Sequence, residues 1–213
     1  MFSDPYLYPN SSVLINRFNI HDLDVLEEVE ANYVSLRLRE LIVRPLPGNF
    51  DDIHYLAIHK YIFQDIYPWA GQMRRINIEK PEEVLGGLSV EYSSVVFLRA
   101  DLRAALHRLS QVKAHEDLVQ LSKEFSHAMA MIWKTHCFRE GNTRTTIIFC
   151  CQYAQTHGFS LDRDLLEKNA AYVRTALVAY NAVFTDAGDL SKPEYLERII
   201  LDALQRAQKQ QDR

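Results

Sequence analysis

A chain of 213 residues, 47% hydrophobic and 24% charged, is long enough to bury roughly 70% of its unfolded surface, which excludes a disordered or fibrous protein. A net charge of −4 leaves no basic excess for general nucleic-acid binding, and 7 glycines with 7 prolines are too few for a loop-rich all-β sandwich. The three cysteines, Cys137, Cys150 and Cys151, make a poor disulfide framework and suit a reducing, cytoplasmic setting. The start carries no basic and apolar leader, and no apolar run approaches 18 residues, so neither a signal peptide nor a membrane span is expected.

Residues 1–15 are rich in Pro, Asn and Ser and read as extended chain. From Asp22 to Val43, Leu23, Leu26, Val29, Tyr33, Leu36 and Leu41 approximate a 3.6-residue period, an amphipathic helix that Pro45 and Pro47 end. Asp51 or Asp52 caps a second helix through Ile66, with Ile53, Leu56, Ile58, Ile62 and Phe63 as its apolar face, and Pro68-Trp69-Ala70-Gly71 breaks the pattern. Arg74 to Lys80 alternates apolar with polar and stops at Pro81, the signature of a strand in one small hairpin, with a turn-rich loop from Pro81 to Gly87. Helical periodicity returns at 93–109, 116–134, 142–157, 164–180 and 193–207, and the polar tail 208–213 is expected to fray. Six or seven helices with one hairpin, and no repeat or linker, predict a single all-α domain over 1–213 with its core at about 5–205.

The most informative stretch is His136-Cys-Phe-Arg-Glu-Gly-Asn-Thr-Arg144, set between two apolar helical segments. His136 is the one residue in it able to act as a base near neutral pH. Glu140 is a hard oxygen ligand suited to Mg²⁺, or alternatively a carboxylate stabilised at a helix N-terminus. Gly141 permits a sharp turn and close backbone approach to a ligand. Asn142 either caps the next helix or turns its amide to a phosphate while the following N–H groups form an anion-binding nest. Arg144 offers a planar fork for phosphate, and Phe138 anchors the loop in the core. The set is the equipment for phosphate-group transfer.

The run resembles the Fic signature, His-x-Phe-x-(Asp/Glu)-Gly-Asn-x-Arg, at His136, Phe138, Glu140, Gly141, Asn142 and Arg144. The likeness extends through Pro9 to Phe50, His59 to Gly71 and Arg75-Ile-Asn-Ile78, nearly all of residues 5–205. It implies a Fic-type helical bundle with one β-hairpin, the flap, and transfer of AMP from ATP to a Ser, Thr or Tyr hydroxyl of a target protein. On that resemblance His136 is the general base, Glu140 holds Mg²⁺, and Arg139, Gly141, Asn142, Thr143, Arg144 and Thr145 bind the nucleotide. The flap residues Ile76, Asn77 and Ile78 would pair with an extended segment of the target by strand addition.

Three positions depart from the pattern. Cys137 stands where proline is usual, so the fixed φ of a proline is lost from the loop. Thr143 replaces a common glycine, which is tolerable while its φ stays negative. Ile147 occupies the place of a second arginine that many AMP-transferring members direct at the γ-phosphate, leaving Arg174 and Lys80 as substitutes. The inhibitory pattern (Ser/Thr)-x-x-x-Glu-(Gly/Asn) is absent, so restraint is expected from a separate small antitoxin-like partner or by another route. Competing readings are a phosphotransferase like the Doc toxin, another nucleotidyl transferase, or a catalytically weak interaction module. A cysteine–histidine metal site lacks the ligand spacing it would need.

Overall fold

In a computed structural model, residues 4–211 form an all-α assembly with one two-stranded antiparallel hairpin. The helices are α1 (Leu23–Val43), α2 (Asp52–Phe63), α3 (Leu98–Gln111), α4 (Leu118–Thr135), α5 (Asn142–Thr156), α6 (Arg163–Lys168), α7 (Ala170–Tyr180) and α8 (Pro193–Gln211). Carboxylates start four of them: Asp22, Asp51, Asp117 and Asp162 each accept a backbone N–H from the first turn. The core is built around α4, which packs against α3, α5, α7 and α8, while α2 closes over α5. Trp133, Phe138 and Phe149 are fully buried between these layers. No helix among the described residues is long and apolar enough to cross a membrane.

Several boundaries and faces differ from the sequence reading. On α1 the buried positions are Leu26, Val34 and Leu41, whereas Leu23, Tyr33 and Leu36 are exposed. The turns between hold Glu30, Arg37 and Glu40, whose ion pairs and hydrogen bonds to Arg144, Asp65 and Tyr61 fix the helix where a wider apolar face would otherwise do so. Ile53 likewise faces outward, and Tyr55 and His59 take its place in the core. The expected helix 164–180 is two, divided at Asn169, whose side-chain amide turns back to the Leu165 carbonyl at 2.8 Å. Residues 208–211 continue α8, and 212–213 of the expected frayed tail lie outside the described residues.

Residues 74–80 alternate in exposure as their sequence alternates in polarity, but they form no ladder. Their backbone and side-chain partners lie elsewhere: Arg74 N–H bonds the Cys137 carbonyl, Arg75 N–H the Tyr6 hydroxyl, and Lys80 N–H the Ser89 hydroxyl. The flap is therefore a loop closed by the single bridge Pro81–Ser89 around one 3₁₀ turn, Glu83–Leu85. The regular hairpin is β1 (Val183–Phe184) with β2 (Gly188–Asp189), a pair too short to show alternation in the sequence.

Candidate active site

α4 ends at His136, which takes the left-handed conformation (φ +46°) that a non-glycine residue seldom adopts. The chain then runs through Cys137–Glu140 and turns at Gly141 (φ +82°) into α5. A Cβ on Gly141 would overlap the Phe63 ring, so glycine is required both by its φ and by the close approach of α2. Asn142 spans the loop with both ends of its amide, accepting the Phe138 N–H at 2.9 Å and donating to the Phe138 carbonyl at 2.8 Å. It is thus neither the cap nor a free phosphate donor in side chain; Gly141 is the cap residue, and no side chain closes the first turn of α5. The leading amides of that helix, which have no intrahelical acceptor, face the opening with the positive end of the dipole.

His136 is buried, with the Tyr92 ring stacked on it at 4.0 Å and Trp133 edge-on at 5.2 Å. Neither ring nitrogen has a hydrogen-bond partner. Burial, then Lys80, hold its pKa well below the ordinary histidine value despite the opposing Glu140 carboxylate, so the resting imidazole is neutral. Glu140 receives the Lys80 ammonium at 3.0 Å on Oε2 and the Gly141 N–H at 2.9 Å on Oε1. Burial pushes its carboxyl up, but Lys80, the Gly141 amide and Arg144 together hold it down to about 2. Arg144 lies over the Phe63 ring and bonds Glu30 of α1 at 2.6 Å, with Glu140 3.8 Å away.

A cavity of about 290 Å³ gathers Lys80, His136, Glu140, Gly141, Asn142, Thr143, Arg144 and Arg174, with Ala170 and Ala171 of α7 as its apolar wall. Glu140 is the one carboxylate in that lining. Among the described residues no group of three or more His, Cys, Asp or Glu gathers as a metal site, so a cation here would need oxygens from a ligand beside Glu140. Beside the cavity a trough of about 880 Å³ runs along Ile76, Asn77 and Ile78 and shares Lys80, Glu140 and Arg174 with it. Two expected nucleotide contacts lie outside the cavity. Arg139 turns to Asp4 of the N-terminal arm at 2.8 Å, and the Thr145 hydroxyl is buried against the Gly141 carbonyl at 2.9 Å. Arg174 lines the cavity but is already engaged, with both terminal nitrogens on Glu82 at 2.7 and 2.9 Å.

The sequence model of the Fic/DOC family matches residues 49–154. The "Probable protein adenylyltransferase y4lH" of Sinorhizobium fredii is 37% identical over 164 residues, 77% of this chain and 82% of that one. The chain belongs to the Fic/DOC family. Protein adenylyltransferase VbhT of Bartonella schoenbuchensis is 31% identical over 166 residues, 78% of this chain but 34% of VbhT, so the chain spans about a third of that longer relative. In solved structures the fold recurs in the effector BepC of Bartonella tribocorum, crystallised with bound AMPPNP, at a TM-score of 0.70 and 20% identity over 93% of this chain and 95% of that one.

Within this Fic chain, Ile147 takes the second-arginine position and borders an apolar cavity of about 290 Å³ with Val34, Leu38 and Leu166. Thr143 stays helical with negative φ, its hydroxyl accepting the Trp133 indole N–H at 2.9 Å. Four residues that hold the Fic loop were not singled out from sequence: Arg74, Tyr92, Glu30 and His59. His59 accepts the Gly71 N–H on Nδ1 at 2.8 Å, lies 3.0 Å by Nε2 from the Glu140 carbonyl, and stacks on Phe138 at 3.6 Å. Its i, i+4 spacing from Tyr55 and Phe63 marks it as a core position, the one available signal.

Proposed function

We propose that this chain is a protein adenylyltransferase, moving AMP from ATP to a Ser, Thr or Tyr hydroxyl of a target protein. The carrying observation is His136, a buried neutral imidazole with neither nitrogen engaged, on the wall of a cavity that also holds Glu140 and the open end of α5. The family relatives named as adenylyltransferases and the AMPPNP-bound BepC structure favour the same chemistry.

His136 accepts the proton of the target hydroxyl, whose oxygen attacks the α-phosphorus in line. The bond from that phosphorus to the bridging oxygen breaks, and pyrophosphate departs. Asn142 and Thr143 bring backbone amides to the phosphate oxygens, Gly141 lets the backbone approach them closely, and Arg144, released from Glu30, balances charge on the leaving group. Glu140 would hold Mg²⁺, and that ion supplies charge neutralisation on the phosphates when bound. A target segment lying in the trough along Ile76–Ile78 would bring its hydroxyl toward His136.

The test is incubation with Mg²⁺, cell lysate and ATP labelled at either the α- or the γ-phosphate, beside His136→Ala. Label from α-ATP on a protein band, absent with the variant, is the expected result. Label from γ-ATP instead would make the chain a phosphotransferase, and no band with either would remove the enzymatic reading.

A further inference from the structure

Arg74 enters the flap with 3% of its surface exposed and no carboxylate paired to it among the described residues. Its guanidinium is spent entirely on backbone carbonyls. Nε donates to His136 at 2.7 Å, Nη1 to Ile76 at 2.7 Å, and Nη2 to Ser93 and to Thr135, the latter at 3.4 Å. Its own backbone N–H takes the Cys137 carbonyl at 2.8 Å. A buried cation without a counter-ion is expensive unless its hydrogen bonds are complete, and here they join three segments: the entry of the flap, its exit, and the end of α4.

We infer that Arg74 is a positioning residue that couples the flap to the base. This rests on the reading of His136 as that base. His136 sits in a left-handed conformation, and its neighbour Cys137 lacks the ring with which proline would fix φ. Arg74 supplies the missing constraint by pinning both of their carbonyls, while the same planar fork fixes Ile76 and Ser93 on the two sides of the flap. A target laid along Asn77 and Ile78 is thereby registered against the imidazole through one rigid side chain. Lysine keeps the charge but presents it as a point on a flexible stem, and it cannot hold this spread of acceptors.

The test is Arg74→Lys in the full chain, assayed for AMP transfer at a temperature where circular dichroism shows it folded. Arg74 does not line the nucleotide cavity. The expected result is a fall in kcat of about tenfold or more, as a misplaced reacting group gives, with the Kd for ATP within about threefold of wild type. A kcat within about twofold of wild type would overturn the inference, because a merely structural arginine changes melting temperature and not turnover by the folded enzyme. A second measurement needs neither the variant nor activity: ¹⁵N-arginine NMR of the wild-type chain. The Arg74 Nε–H is expected to exchange with solvent at least about a hundredfold more slowly than that of exposed Arg75, and equal rates overturn the inference. If wild type transfers no AMP, the functional reading fails and the coupling to a base falls with it, while the exchange rates still show whether the Arg74 clasp between flap and α4 holds in solution.

Discussion

Lys80 Nζ lies 3.0 Å from Glu140 Oε2, so the carboxylate in the cavity is held by a cation carried on the flap. This contact sets the charge state of the site. Burial alone would raise the Glu140 carboxyl, and Lys80 is the largest of the groups that bring it down to about 2. Lys80→Met should therefore raise that pKa, with the Gly141 amide and Arg144 left to oppose burial. A ¹³C titration of the Glu140 side chain measures it. The pair's contribution to stability is present above about pH 4.3 and fades as pH falls toward about 2, so the variant should lose stability near neutrality and show a flatter acid limb. An unmoved Glu140 titration would show that Lys80 is screened by water and does not govern it.

His59 predicts an acid sensitivity of the opposite origin. Its Nδ1 accepts the Gly71 N–H, so Nε2 carries the proton and donates to Glu140; a second proton would face the Gly71 donor. Burial, above all, lowers its pKa to about 3. The unfolded chain takes up that proton near about pH 6.5, so stability is complete above that value and falls as pH drops toward about 3. The slope is about 1.4 kcal/mol per pH unit, or about 2 kcal/mol between pH 6 and 4.5. Urea unfolding of wild type and His59→Gln across that range should give a variant that is weaker at pH 7 yet shallower by about this amount. Parallel curves would mean that the His59 ring titrates normally.

The helices and the Fic loop were legible because their signals are local: apolar periodicity along α1 and α2, a cap expected at Asp51 or Asp52 and found at Asp51, and a nonapeptide whose residue types declare themselves. What was not legible depends on contacts distant in sequence. Nothing around Glu30 shows that it meets Arg144, nor around Asp4 that it takes Arg139 away from the cavity. Arg74 reads as one of two surface arginines until the chain folds and four carbonyls surround it. The flap misled differently, since alternating polarity reports alternating exposure, and the backbone bonds of residues 74–80 go to Cys137, Tyr6 and Ser89 instead of a partner strand.

Gly141→Ala should be more damaging than Gly87→Ala in the flap. The Gly141 φ of +82° strains an alanine by about 1–2 kcal/mol, and the overlap with the Phe63 ring adds about 1–3 kcal/mol. Gly87, with φ +92°, has nothing within 4 Å of a new Cβ, so Gly87→Ala should show the backbone share alone. Thermal unfolding of the two variants separates the effects. Equal losses would mean that α2 moves aside without resistance and that the close approach does not constrain the turn.

The Arg174–Glu82 pair ties α7 to the flap and yields a double-mutant test. Glu82 is 5% exposed and anchors the turn through its own backbone, its N–H on Leu88 and its carbonyl on Gly87. Arg174→Met strands that buried carboxylate, whereas Glu82→Gln leaves a solvated arginine beside a neutral amide. Breaking a buried pair costs about 3 kcal/mol or more, but the Arg174 side chain is 44% exposed, so screening brings the expected loss nearer about 2 kcal/mol. Arg174→Met should thus be the weaker single variant, and Glu82→Gln with Arg174→Met should recover most of the loss. Urea midpoints for the wild type, both singles and the double variant measure the coupling. A double variant no more stable than Arg174→Met would mean that the carboxylate finds water once its partner is gone and that the pair does not tie α7 to the flap.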